Sequence, residues 1–406
     1  MKRTYFTWIS ACVALLVLSA WVPIPVDACP FCSAPSLTLT EQLAGADSAV
    51  LVKWVSGTPA KLSDAGSTDF EIVDVVHQHA AGKLKAGSKL NLVRFRSGKP
   101  GDLFLLLGTL GAGNVEWGSP LEVTQAGYDY MKNSPKTDQP AVKRLAYFLK
   151  YLEHADRMIG DDAFGEFANA AYSDVVLLSK ELPREKLRTW LTSNMVSPGR
   201  IGLYGMMLGL CGTDDDVKLL ERKILEGTED FRLGIDGVMG GYLLLTGEKG
   251  LGLLSEKKLK DKKAPFSETY AAMQAIRFMW QYGDNRISAE RLREAMRILL
   301  ERPELADLVI ADLARMKDWS VQDRLVDLYE ADAYNIPSIK RAIVRFTLAA
   351  AKDVPKKEEG STGGSAVATT TDEAPAHVVK AQKCLEELEK RDPKTVHEAK
   401  RFFLLK

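Results

Sequence analysis

Between about Gln139 and Ala351 a helix-ending turn recurs at a nearly constant interval. It falls at Asp174 in YSDV, Gly212 in LCGT, Gly247 in LTGE, Gly283 in YGDN, Asp318 in KDWS and Asp353 in AKDV, with spacings of 38, 35, 36, 35 and 35 residues. An apolar helix precedes each turn, as in Ile201–Leu210, Met273–Trp280 and Ile339–Ala350. An amphipathic helix follows most of them, as in Val217–Ile224, Leu292–Leu300 and Val321–Tyr329. A two-helix unit this short cannot bury its apolar face alone, whereas stacked copies bury one continuous core. The expectation is an α-solenoid of five or six repeats over residues 136–353. Gly202 and Gly205 lie 35 residues before Gly237 and Gly240, and each pair shares one face of its helix. Glycine costs a helix about 1 kcal/mol, so close packing between repeats is expected to offset it.

In this pattern the helical region resembles HEAT-like repeats. The region before it reads differently. Ala49–Val55, Asp69–Val76, Lys89–Phe95 and Leu103–Leu107 are short apolar runs separated by Gly and Ser clusters, the signature of strands. Phe70 to Val76 partly alternates apolar and acidic residues, while Leu103–Leu107 is continuously apolar and reads as a central strand. A cysteine motif followed by ADSAVLVKWVSG, DFEIVDVVHQ, LKAGSKLNLVRF and GDLFLLLG resembles the netrin-like (tissue-inhibitor-of-metalloproteinase-like) form of the OB barrel, over about 90 residues. That resemblance implies a small barrel whose N-terminus is held against it. The chain departs from the family by having C-x-x-C in place of C-x-C and by lacking the later cysteines.

The chain opens with Met1-Lys2-Arg3, an apolar run from Tyr5 to Val22, and Val26-Asp27-Ala28-Cys29. A basic start, an apolar stretch and small or apolar residues before the cut read as an export signal cleaved between Ala28 and Cys29. An uncleaved anchor and a lipid-modified Cys29 are the alternatives, and each places the protein outside the cytoplasm: periplasmic, in the cell envelope or secreted. Lys+Arg and Asp+Glu both number 54, which argues against a dedicated nucleic-acid binder. Membrane association is expected only through the N-terminal segment. Five cysteines in 406 residues do not make a disulfide scaffold.

The candidate chemistry centres on the C-P-F-C pair, Cys29 and Cys32. It fits a structural disulfide or a redox pair, the latter needing a thiol at a helix N-terminus. With His77 and His79, two apart near a strand end, it also makes a four-ligand set for zinc. No cofactor beyond that possibility is expected. Gly108, Gly111 and Gly113 read as a turn, since no G-K-[ST] follows. Asp214, Asp215 and Asp216 open a helix and read as a cap. No nucleophile–base set stands out, so an enzyme is the less favoured class.

The organisation expected is a signal at 1–28, a small OB-like β domain at 29–135, HEAT-like repeats at 136–353, a Gly/Ser/Thr-rich linker at 354–376 and capping helices at 377–406. The function expected is non-enzymatic binding or scaffolding of an unknown protein partner. The alternative is an inhibitor-like, thiol-redox or metal-binding role for the N-terminal module.

Overall fold

The computed structural model describes residues 28–32, 37–62, 64–80, 82–111, 114–227, 230–354 and 374–403, without the side chains of 402 and 403. The leader up to residue 27 and the stretch 355–373 of the expected linker lie outside the described residues. The chain forms two compact units that part between Leu178 and Ser179. The composition of the sequence placed the change of pattern earlier, at 135/136.

The first unit begins with helix α1 (Leu39–Gly45) and continues through strands β1 (Ser48–Thr58), β2 (Ser67–His77), β3 (Lys89–Leu92), β4 (Leu103–Gly111), β5 (Asn114–Trp117) and β6 (Leu121–Glu122). Helices α2 (Gln125–Asn133), α3 (Ala141–Phe148), α4 (Arg157–Ala168) and α5 (Tyr172–Leu177) follow. The strands form one antiparallel sheet in the order β3-β2-β1-β4-β5, with β6 on β4. Ala49 to Val52 in central β1 are buried on both sides of the sheet. Val50, Val52, Phe70, Ile72, Phe104 and Leu106 gather in one apolar cluster. Leu51 pairs with Asp74 of β2, and Asp74 accepts from Tyr128 Oη of α2 at 2.6 Å, which brings α2 to the sheet's other face.

The sheet is open, which corrects the barrel implied by the netrin-like resemblance. Three register shifts between β1 and β2 curl it. Its edges, however, are the four-residue strands β3 and β5, and no pairing joins them among the described residues. Closure needs a continuous ladder around the ring.

The second unit is helical. It runs through α6 (Arg184–Thr192), α7 (Ile201–Cys211), α8 (Asp214–Leu225), α9 (Ile235–Thr246), α10 (Glu248–Leu254) and α11 (Phe266–Tyr282). Then come α12 (Ala289–Ile298), α13 (Ala306–Arg315), α14 (Gln322–Glu330), α15 (Pro337–Lys352), α16 (Ala376–Arg391) and α17 (Pro393–Phe403). Helix α9 packs against both α7 and α11, and α15 against α13, α16 and α17. Side-chain bonds reach across one unit of sequence: Arg232 Nε to Glu268 (2.8 Å), Arg277 Nε to Asp312 (2.6 Å), Tyr334 Oη to the Leu300 carbonyl (2.7 Å) and Trp319 Nε1 to Asp353 (2.7 Å).

The turn residues mostly sit where helices end. Gly212, Gly247, Gly283 and Asp353 are the C-caps of α7, α9, α11 and α15, and Gly247 has a positive φ of 58°. Asp318 is buried just beyond α13 and accepts from Arg297 at 2.6 and 2.9 Å. Asp174 is a correction: it lies in the first turn of α5 rather than at a helix end, and its interval of 38 was the irregular one.

The glycines of α7 meet α9 backbone to backbone. A Cβ on Gly205 would stand 2.6 Å from the Val238 Cα, and one on Gly209 would overlap Gly241. On α9 Gly237 closes on Gly202 and Gly241 closes on Gly205, so Gly241 joins the glycines read from the sequence in this contact. Four residues bring a helix closer to a full turn than three do.

Candidate functional site

Cys29 and Cys32 are joined in a disulfide, S–S 2.01 Å. Cys29 is buried, and its backbone N–H donates to the Ala168 carbonyl at the end of α4 at 3.1 Å. The pair therefore rests against a helix end rather than against strands, as the netrin-like resemblance implied. The first described helix after it in the chain starts at Leu39, seven residues past Cys32, so the pair does not itself open that helix as a redox C-x-x-C does.

His77 ends β2, and its ring Nε2 donates to the Ala46 carbonyl at 2.8 Å. The His79 backbone N–H donates to Ser48 Oγ at 3.2 Å. The zinc set of Cys29, Cys32, His77 and His79 is not assembled, because the disulfide leaves neither cysteine as a thiolate ligand. Among the described residues no group of three or more His, Cys, Asp or Glu is placed to hold a metal ion. A cavity of about 650 Å³ opens beside His77, between Leu43, Val76, Met131 and Lys136, and the Ser134 hydroxyl in its lining donates to the Met131 carbonyl at 2.7 Å. Cys211 and Cys384 are free and half-buried, and burial pushes the Cys211 thiol up to about 11. A thiol raised in this way is a poor nucleophile at neutral pH.

What holds the N-terminal segment is a buried polar cluster on α4. Asp162 and Glu166 lie one turn apart on a face that also carries Ile159, Ala163 and Phe167. Asp162 accepts from the Leu39 backbone N–H at 2.6 Å and from Tyr130 Oη at 2.7 Å. Glu166 takes the Thr40 hydroxyl and the Arg144 guanidinium, the latter at 2.6 Å. Asn169 donates to Glu41 at 3.2 Å. Burial pushes the Asp162 carboxyl up to about 6 against the two hydrogen bonds that favour its charge. The sequence reading missed this cluster. Its signal was a pair of acids four apart on an otherwise apolar helix face.

Asp216 does cap α8, but it does more than the other two acids of its run. It is fully buried, accepts from the Thr213 N–H at 2.7 Å and from Arg184 at 2.6 Å, and also binds Arg188. It ties α6 to the start of α8. Gly108 and Gly111 are residues of strand β4, paired with Trp117 and Asn114, which corrects the turn reading for them, and Gly113 lies outside the described residues. A Cβ on Gly108 would overlap Val115 and Trp117, so the hairpin's side-chain packing demands glycine there.

Several exposed apolar residues of the second unit fall in its connections, while Leu308 lies in α13, Val354 follows α15 and Val379 lies in α16. Met195, Leu225, Phe231, Leu233, Phe266 and Ile336 all sit in or beside the connections that lead into α7, α9, α11 and α15. Met195 is 88% exposed and Phe231 is 71% exposed, so neither belongs to the core of its own unit. From Met195 to Phe231 is 36 residues, from Phe231 to Phe266 is 35, and from Phe266 to Ile336 is 70, two intervals. The connections adjoin in order. Leu233 lies against Gly199, Arg232 reaches Glu268, Arg302 donates to the Ala264 carbonyl (3.2 Å) and Tyr334 donates to the Leu300 carbonyl (2.7 Å). Between Phe231 and Phe266 runs SEKKLKDKK, residues 255–263. Lys258 there joins Glu268 at 2.8 Å and Lys260 joins Glu256 at 2.5 Å. Lys257, Lys262 and Lys263 are exposed and have no ion-pair partner among the described residues.

No family model, no curated protein and no solved structure matches this chain. Among the described residues no helix is long and apolar enough to cross a membrane.

Proposed function

We propose that this is an exported, non-enzymatic binding or scaffold protein whose helical unit is an α-solenoid presenting a surface to a protein partner. The observation that carries the reading is the recurrence, at the interval of the turns, of exposed apolar side chains in or beside the connections before α7, α9, α11 and α15, with none before α13. Single apolar side chains on a surface are ordinary, whereas a contiguous apolar patch marks an interaction site. Recurrence at the interval of the fold itself makes a row out of what would otherwise be scattered side chains. The bonds at one-unit intervals, from Arg232–Glu268 to Trp319–Asp353, support the solenoid, since each repeat there contacts its neighbour. Export rests on the basic and apolar leader and on Val26-x-Ala28.

The test is affinity capture with the full chain from the extracytoplasmic fraction of cells that make it, followed by cross-linking mass spectrometry. One stoichiometric protein cross-linked to residues 179–354 and a native N-terminus at Cys29 are the results expected. Cross-links confined to the first unit, or a native protein that keeps its leader and stays in the cytoplasm, would overturn the reading.

A further inference from the structure

We infer that the cavity between the end of α11 and α13 is a binding site for a small monocarboxylate with a flat apolar body. The site is independent of the scaffold reading, and it lies at the other end of α11 from Phe266. Its volume of about 460 Å³ suits a small molecule. Arg277, Trp280 and Gln281 of α11 line it, with Asp312 and Arg315 of α13 and the following Met316.

The first observation is a pair of guanidiniums held by one buried acid. Arg277 Nε donates to Asp312 Oδ2 at 2.6 Å, and Arg315 Nη1 donates to Asp312 Oδ1 at 2.9 Å. Gln274 accepts from Arg277 Nη1. Nη2 of Arg277, and Nε and Nη2 of Arg315, have no partner among the described residues. Both forks are thus oriented yet still have N–H groups to donate, and a carboxylate is the planar acceptor that matches a guanidinium. The lining carries two positive charges and one negative, an excess of one. A carboxylate balances that excess. A phosphate group carries about −1.5 to −2 at pH 7 and would be repelled by Asp312.

The second observation is the rest of the wall. Arg293 of α12 lies over the Trp280 ring, 5.5 Å from its centroid, and donates to the Met316 carbonyl at 3.0 and 2.7 Å. It ties the indole to the residue that follows α13, and a flat apolar body gains from stacking on such a ring. The third is that the stack does not require these charges. Arg277 and Asp312 stand six residues before the turns at Gly283 and Asp318. The same place before Gly212, Gly247 and Asp353 is held by Met206, Gly241 and Thr347, so the pair is confined to one junction.

The probe is para-fluorobenzoate, titrated with the full chain and read by fluorine NMR line width. Saturable binding that weakens as salt rises is expected. The neutral amide of the same shape, para-fluorobenzamide, should bind about tenfold or more weakly. Arg315→Met should weaken benzoate binding about tenfold, and its side chain is 67% exposed, so the fold survives the change. Arg277→Lys keeps a cation beside Asp312 but loses the fork, and should weaken binding similarly. A circular dichroism melt verifies that both variants fold. Equal binding of the amide, or unchanged binding by either folded variant, overturns the proposal. So does inorganic phosphate that displaces the probe at equal concentration. A dipeptide, N-acetyl-Gly-Phe with a free carboxylate, that binds about tenfold more tightly than the probe would assign the site to the end of a protein chain and overturn it as well.

Discussion

Gly205→Ala tests the backbone contact between α7 and α9 with a single methyl group. The added carbon would stand 2.6 Å from the Cα and 2.7 Å from the N of Val238, where non-bonded carbons settle at about 3.5–4.0 Å. Both obstacles are backbone of α9, so no rotamer change relieves the overlap and the helices must part by about 1 Å. Overpacking costs about 1–3 kcal/mol, and a rigid obstacle puts this case at the upper end. Alanine regains about 1 kcal/mol over glycine through helix propensity, which leaves a net loss of about 2 kcal/mol. Gly252→Ala is the control. It lies in α10, and a methyl group added there would meet nothing within 4 Å, so only the propensity gain applies. Amide exchange in α7, α9 and α10 is the assay, because it reads opening locally and the two units need not unfold together. Protection should fall in α7 and α9 for the first variant and hold or rise in α10 for the second. A neutral or stabilising Gly205→Ala would refute the packing argument.

Three further outcomes follow from the polar interior. Asp162 has a carboxyl at about 6 in the folded chain against 3.8 unperturbed, so the folded state holds its proton more tightly. That contribution is complete below about pH 4 and lost as pH rises through 6, up to about 3 kcal/mol. Urea titrations of the first unit should therefore show Asp162→Asn level with wild type at pH 4 and more stable above pH 6; parallel curves would contradict this. Burial alone would raise the Asp318 carboxyl, and the Arg297 guanidinium holds it below the usual range instead. Arg297→Met strands that buried charge at a cost of about 3–5 kcal/mol at neutral pH, and the difference should shrink as pH falls through the carboxylate range; a deficit constant with pH would contradict it. Cys29→Ser with Cys32→Ser opens a loop so short that only about 2 kcal/mol of stabilisation is at stake, so the first unit should still fold, with a modest drop in melting temperature. Loss of the fold would mean that the bond does more than fix the start of the chain.

Much of the architecture was legible because it follows from period. The strand runs found β1, β2, β3 and β4 within a few residues, since alternating or continuous apolar residues have few other uses between Gly and Ser clusters. The helix ends at Gly212, Gly247 and Gly283 were legible because glycine terminates helices for local reasons. Barrel closure was not legible. It depends on whether β3 meets β5, a long-range pairing that no local pattern encodes. The zinc set failed for a different reason: the C-x-x-C spacing suits a metal site and a disulfide equally, and Cys29 and Cys32 are joined to each other. The anchor on α4 hid in plain view, because Asp162 and Glu166 read as solvent-facing acids until Leu39, Thr40 and Tyr130 are brought to them. The exposed edge could have been read. Met195, Phe231 and Phe266 recur at the interval of the turns, but they lie in polar connections, where single apolar residues draw no notice.

Site-specific photo-crosslinking in cells that make the protein tests the central claim most directly. A benzophenone side chain in place of Phe231 or Phe266 sits on the proposed docking edge, and one in place of Lys249, in the first turn of α10, or of Asp284, just past the end of α11, sits beyond the far ends of α9 and α11. The account predicts a discrete protein adduct from the first two positions and none from the others. Adducts from Lys249 or Asp284 with none from Phe231 and Phe266 would contradict it.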